Sequence, residues 1–271
     1  MRNTLSEFTT FGIGGAAKSI QLARSRSQLI DLAYIGTVLG RGSNILASDS
    51  GVDGVIVINR YEHVVRKGTS VYAGSGTRLS ALCGALAELG LSGMEWASGI
   101  PGTVGGAVRM NAGAFLGEMS DVVTSAEVLR DGHVITLDKP DIGFGYRTSG
   151  LKTDDVVIGA TIALSTDSPS AIRKRCERYR ALRKNSQPVG RSAGSIFKNP
   201  PHVSVGKILD EAGLKGLRRG GAVISQKHAN IIVNTGGATA KDVCALIAEM
   251  RKALLERGVE AQEEIIYLGE F

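Results

Sequence analysis

The apolar positions of the chain change spacing along its length, and the changes mark out its elements. Leu29, Ile30, Leu32 and Ala33 share one helical face, with Ser27 placed to cap that helix. A strand over Thr37–Leu39 follows, and after the Asp53-Gly54 turn the unbroken apolar run Val55 to Ile58 predicts a buried strand. From about residue 62 the texture becomes short strands, His63–Arg66 and Val71–Ala73. A helix over Arg78–Leu89 comes next, with Leu79, Leu82, Cys83 and Leu86 on one face and Gly90 as its stop. Val122–Arg130 and Val134–Leu137 flank the hairpin signal Asp131-Gly132, and Val156–Ala163 adds another strand. Past Ser168 and Pro169, which suit a helix start, strands alternate with helices. One helix runs from Ser204 through Val205, Ile208 and Leu209 to Gly213. Another opens on a capping box, Thr239 with Asp242, and turns Val243, Leu246, Ile247, Met250 and Leu254 inward. Val259–Leu268 reads as a final strand.

These textures divide the chain into 1–61, 62–165 and 166–271, the middle part being α+β on a mainly antiparallel sheet. At 271 residues the chain can bury a substantial core, and 43% hydrophobic content is that of a globular protein. The N-terminus has no signal-peptide core and no apolar run reaches membrane-span length, so no membrane role is expected. Cys83, Cys176 and Cys244 are odd in number and set among apolar or helical neighbours. They read as reduced core thiols of a cytoplasmic protein, neither a disulfide frame nor a metal site. The four histidines show no metal spacing either.

Glycine changes the picture most, at 36 residues, roughly double ordinary usage. Its densest stretch, ASGIPGTVGGAVRMNAGA (97–114), carries five glycines and a single charge, Arg109. Glycine this dense is poor material for a packed element but allows backbone N–H groups to approach a ligand, most often phosphate or pyrophosphate oxygens. Tight turns in an all-β region would also use glycine; Pro101 and the interleaved Ser98, Thr103 and Asn111 favour a site. A second turn, GRGSN (40–44), adds backbone donors and Arg41, which together suit an extended ligand with two phosphates. GIGGAA (12–17) follows no hydrophobic strand, which weakens a Rossmann reading.

Lys and Arg total 32 against 26 Asp and Glu, a net charge of +6 that suits anionic ligands without choosing among them. The helix after Pro169 concentrates this charge in Arg173, Lys174, Arg175, Arg178, Arg180, Arg183 and Lys184. Such a run is ordinarily a solvated face. In SAGSIFKNP (192–200), Ser195 lacks a nucleophile elbow and a partnering Asp–His pair, so it is a poor nucleophile. As a proton-donating hydroxyl in a rigid glycine turn, near Lys198, it is chemically sensible. Glu263 and Glu264 should face opposite ways on the terminal strand, with Glu264 on the apolar face of Ile266 and Leu268. Arg147 follows two aromatics in FGYRTS.

The ordered set TTFGIGG (9–15), GRGSN (40–44), SGIPGTVGGAVRMNAGA (98–114), GYR (145–147), SAGSIFKNP (192–200), KHANIIVN (227–234) and EEIIYLG (263–269) resembles the UDP-N-acetylenolpyruvoylglucosamine reductases over essentially the whole chain. The resemblance implies a cytoplasmic FAD enzyme of peptidoglycan synthesis, with NADPH as co-substrate and a UDP-sugar as substrate. The fold it implies is a two-part FAD-binding domain of the vanillyl-alcohol-oxidase (PCMH) type, 1–61 and 62–165, plus a C-terminal α/β substrate-binding domain, 166–271, whose last strand returns Glu264 to the active site. The short interval from Leu164 to Ser195 matches the family's shorter, second type.

By position, the resemblance makes Ser195 the proton donor, with Arg147 and Glu264 completing the catalytic set. FAD would be held by Gly40, Arg41, Gly42, Ser43, Asn44 and Ile45, and by Ser98, Gly99, Ile100, Pro101, Gly102, Thr103, Gly105, Gly106, Asn111 and Gly113. Tyr146, Asn199, His228 and Asn230 would touch substrate. No His or Cys occurs in 97–114, so FAD is expected to be non-covalent. A monomer without metal or nucleic acid is expected. The alternatives are a flavin oxidase of alcohols or sugars, which would lack the SAGSIFKNP and terminal-Glu set, and a non-catalytic binder of nucleic acid or nucleotides, against which the sparse aromatics weigh.

Overall fold

The computed structural model describes residues 4–271. It divides into two units built from alternating stretches: 20–41 with 56–183, and 4–19 with 42–55 and 184–271. The sequence reading instead cuts the chain consecutively, at 61/62 and 165/166.

The unit containing 56–183 is organised on a five-stranded antiparallel sheet, in the order His133–Asp138, Val123–Arg130, Val156–Ala163, Ser70–Gly74, Val64–Lys67. The Asp131-Gly132 signal forms its expected hairpin: both residues have positive φ, 49° and 82°, and Arg130 pairs with His133. This is the backbone sense that matches strand twist. Helix Leu79–Glu88 packs Leu79, Leu82, Cys83 and Leu86 into a core with Val71, Ala73, Val128, Ala160 and Ile162. Each of the leucines contributes at most about 1.5–3 kcal/mol by burial. Burial also pushes the Cys83 and Cys176 thiols up, away from reactivity. Parallel pairing joins Thr37–Leu39 to Ile56–Ile58, the buried run read from the sequence.

Three expectations are corrected here. The helix Arg26–Ala33 is capped by Ser25, whose side chain accepts from Gln28 N–H, two residues before the expected Ser27. The first hairpin strand begins at Val123 because Met119–Val122 is a helical turn, closed by a capping box between Glu118 and Asp121. The strand expected at His63–Arg66 lies at Val64–Lys67, and it is exposed along its whole length.

The second unit carries a three-stranded antiparallel sheet, Arg218–Arg219, Ala222–Ile224 and Ile232–Asn234. Helices Val205–Glu211 and Ala240–Leu255 contribute to its core, with Phe11, Ile13, Leu46, Ile196 and Phe197. The Thr239–Asp242 capping box is present, and Val243, Leu246, Ile247, Met250 and Leu254 are buried as the spacing requires. Strand Ile45–Ala47 pairs in parallel with Ile266–Leu268. The expected strand Val259–Leu268 is therefore much shorter. A bend at Ile265 breaks the side-chain alternation, so Ile265 is buried while Ile266 is exposed, the reverse of the apolar face expected for Glu264.

Candidate active site

In the first unit the glycine-rich stretch is a short turn leading into helix Val104–Arg109. Two of the helix's first amides are anchored within the protein: Val104 N–H donates to Thr77 O and Gly105 N–H to Ser75 O, both at 2.9 Å. The amides of Gly102, Thr103 and Gly106 have no acceptor among the described residues. A Cβ at Gly106 would meet only Thr103 Oγ1, at 3.8 Å, so the backbone there is open to an approaching group. The remaining glycines serve packing. Gly105 lies against Ser75, Gly40 against Thr103 Oγ1, and Gly99 against the stem of Arg183, each closer than a Cβ would allow. Unpaired first-turn amides beside open backbone fit a pyrophosphate.

Other residues expected to hold the cofactor have structural bonds. Ser98 Oγ donates to Cys176 O of the basic helix Pro169–Ser186 at 3.1 Å. Asn111 is buried with φ 42°; its amide donates to Glu118 Oε1 and Gly145 O, and its Oδ1 accepts from Ser120 N–H. Gly113 O accepts from Arg147 Nη2 at 2.8 Å, so the guanidinium rests on the glycine stretch itself. Arg147 also has φ 54°, a left-handed conformation that an arginine adopts only under constraint. Its guanidinium lies 5.1 Å from the ring centre of half-exposed Tyr146. Ile100 packs on the core, Pro101 and Arg41 are exposed, and Gly40 O accepts from Arg60 Nη1.

The basic helix is more than a solvated face. Arg175 binds Glu95 and Asp167, and Arg173 binds Glu88. Arg180 and Arg183 pack against Gly99. Arg183 is held below its ordinary pKa by burial. The partners lie up to 85 positions away, which is why helical spacing alone did not reveal them.

In the second unit, Ser195 follows Gly194, whose φ of 80° requires glycine although a Cβ would meet nothing within 4 Å. The segment after Ser195 lies antiparallel to the approach of Glu264. Glu264 N–H donates to Ile196 O at 2.7 Å, Lys198 N–H to Gln262 O at 2.8 Å, and Phe197 bridges Glu263. On its other side Ser195 bridges Ile231. Glu263, facing away, is bound by Arg251.

Asn230 is 2% exposed. Its Oδ1 accepts from Phe197 N–H at 3.0 Å, and its Nδ2 donates to Phe197 O at 2.8 Å. Asn199 Oδ1 accepts from Val205 N–H, at the start of helix Val205–Glu211. His228 Nδ1 accepts from Asn230 N–H, and burial, then Lys215, holds His228 below its ordinary pKa. From the second glycine turn this unit holds Gly42, Ser43, Asn44 and Ile45. Gly42 has φ 57° and its O accepts from Thr10 N–H, while Asn44 Nδ2 donates to Glu264 O. Thr10, within the TTFGIGG stretch, donates its Oγ1–H to Ser192 O, and Gly12 packs on the side chain of Arg191, which no local signal marks. Among the described residues there is no cluster of His, Cys, Asp or Glu that could hold a metal, and no helix long and apolar enough to cross a membrane.

Residues 34–138 match the family described as "FAD binding domain", and residues 185–268 match "UDP-N-acetylenolpyruvoylglucosamine reductase, C-terminal domain". A UDP-N-acetylenolpyruvoylglucosamine reductase of Caldanaerobacter subterraneus subsp. tengcongensis is 40% identical over 282 residues, spanning 100% of this chain and 93% of its own. The chain belongs to the UDP-N-acetylenolpyruvoylglucosamine reductase family. The reductase of the same name from Caldicellulosiruptor bescii is 42% identical over 98% of this chain and 90% of its own. The crystal structure of the Thermus caldophilus reductase superposes with a TM-score of 0.89 at 38% identity, covering 99% of this chain and 98% of that one. The expected fold class holds: an FAD-binding part followed by the reductase family's C-terminal domain. The chain is accordingly an FAD-dependent oxidoreductase of that family.

Proposed function

We propose that this enzyme reduces the enolpyruvyl ether of a UDP-N-acetylglucosamine to the lactyl ether, UDP-N-acetylmuramate, using NADPH as electron source and Ser195 as proton donor. The observation that supports the reading is the main-chain pairing of the Ile196–Lys198 segment with Gln262–Glu264, which joins the backbone following Ser195 to that of Glu264. FAD would rest with its pyrophosphate on the open amides of Gly102, Thr103 and Gly106; Gly40 to Ile45 are the further residues that the resemblance assigns to it. It would be non-covalent, since no His or Cys lies in 97–114.

Bound FAD supplies the hydride that reaches the methylene carbon of the enol ether. The chain's own groups handle the charge and the proton. Arg147 offers fixed positive charge to the substrate carboxylate as negative charge builds there. Ser195 Oγ–H gives its proton to the carbon bearing that carboxylate, so hydride and proton together saturate the double bond. Glu264 orients the carboxylate region or assists the proton transfer. Tyr146, Asn199 and His228 are candidate substrate contacts, whereas the bonds of Asn230 to Phe197 suit it to holding the Ser195 turn.

The test is direct. Purified protein should be yellow, and NADPH should be consumed only when the enolpyruvyl sugar nucleotide is added. Colourless protein, or NADPH consumption indifferent to that substrate, contradicts the reading.

A further inference from the structure

We propose that Asn44 is a positioning residue for Glu264, linking the second glycine turn to the carboxylate beside Ser195; the inference rests on the reaction proposed above. Asn44 Nδ2 donates to Glu264 O at 2.8 Å, and Asn44 O accepts from Ile266 N–H at 2.9 Å. With Glu264 N–H donating to Ile196 O at 2.7 Å, the Glu264 backbone is fixed on both sides, and the chain bends immediately after it at Ile265.

The main-chain bond to Ile266 belongs to the start of the parallel pairing Ile45↔Ile266 and is available to any residue type. The amide bond is not. It needs a side-chain donor of this reach, which alanine lacks, and aspartate would set an oxygen against the Glu264 carbonyl. Glu264 is not on a continuous strand that would fix its direction, so the orientation of its Cα–Cβ bond depends on these contacts. Gly42, Ser43 and Asn44 itself are assigned above to the cofactor. Asn44 thus ties the position of the carboxylate to the loop that holds FAD, and an error of about 1 Å at a reacting group slows chemistry about 100-fold.

The experiment compares full-length enzyme with Asn44→Ala and Asn44→Asp, following each half-reaction of the FAD-saturated protein by stopped-flow absorbance. Flavin reoxidation by the enolpyruvyl sugar nucleotide should slow about 10- to 100-fold, and by a larger factor than flavin reduction by NADPH slows. In a Glu264→Gln background, Asn44→Ala should add less than about threefold, because both changes act on one group. In FAD-free protein, hydrogen exchange at the Glu264 and Ile266 amides should accelerate in Asn44→Ala. Wild-type reoxidation in FAD-saturated Asn44→Ala would overturn the inference and leave Asn44 a cofactor contact. An equal loss with and without Glu264 would also overturn it. If wild-type enzyme fails to reoxidise with that substrate, the proposed reaction falls, and unchanged hydrogen exchange in the variant would separately remove the linkage.

Discussion

Replacing Asn230 with alanine separates two roles that its position in the sequence leaves mixed. The side chain satisfies both the N–H and the C=O of Phe197, and Phe197 is 1% exposed. In Asn230→Ala both main-chain groups lose their partner in a site closed to bulk water. Orphaning a buried donor or acceptor costs about 1–3 kcal/mol each, so the variant should lose about 2–4 kcal/mol after some relaxation and water entry. For a domain of this size that lowers the melting temperature by about 5–15 °C. Asn230→Asp keeps the acceptor for Phe197 N–H but faces Phe197 O with an oxygen, and should lose at least as much. Melting of the FAD-free and FAD-loaded protein, with urea midpoints as a check, reads this directly. A loss under about 0.5 kcal/mol in both forms, with a raised KM for the sugar nucleotide, would refute the reasoning and return Asn230 to the substrate.

Gly106→Ala tests the open amides: its Cβ meets only Thr103 Oγ1, so FAD-free stability should hold or rise by up to about 1 kcal/mol through helix propensity. FAD affinity should nonetheless fall at least about tenfold by titration; equal affinity would place the pyrophosphate elsewhere. Leu116, wholly exposed with φ 67° beside Phe115 at φ 54°, occupies a two-residue turn that favours Asn-Gly. Leu116→Gly should therefore raise stability by about 1 kcal/mol in a urea melt, and a fall would show that the leucine is held in place. Burial alone would raise the Glu95 carboxyl, but N–H donation from its own residue and Gly93, with Arg175 and Ser92, outweighs burial and holds it below 4.5. Its stabilising contribution is then full above pH 4.5 and lost as pH falls through the depressed value. Glu95→Gln should flatten the acid limb of a stability-against-pH curve, and an unchanged limb would remove Glu95 from it.

What could be read in the sequence was local chemistry. Asp131-Gly132, the Thr239–Asp242 box and the apolar face of Val243 to Leu254 each encode their geometry within a few residues, and all three form as expected. The glycine stretch likewise announced itself as a backbone surface, and its open amides at Gly102, Thr103 and Gly106 follow from that. The terminal segment misled because alternation assumes a continuous strand, and the bend at Ile265 reverses which side is buried. Asn111 is assigned to the cofactor as a polar residue among the glycines, and Asn230 to the substrate by the family resemblance; both side chains also make structural bonds. Their buried bonds to Gly145 and Phe197 come from 34 and 33 positions away and carry no local mark. The basic helix was opaque for the same reason, since Glu88 and Glu95 lie far upstream of Arg173 and Arg175.

The most direct measurement follows the flavin of Ser195→Ala through both half-reactions, with wild-type enzyme alongside. The account predicts reduction by NADPH at the wild-type rate, followed by reoxidation by the enolpyruvyl sugar nucleotide slowed at least about 100-fold. Reoxidation by that substrate at equal rates in both proteins would contradict it.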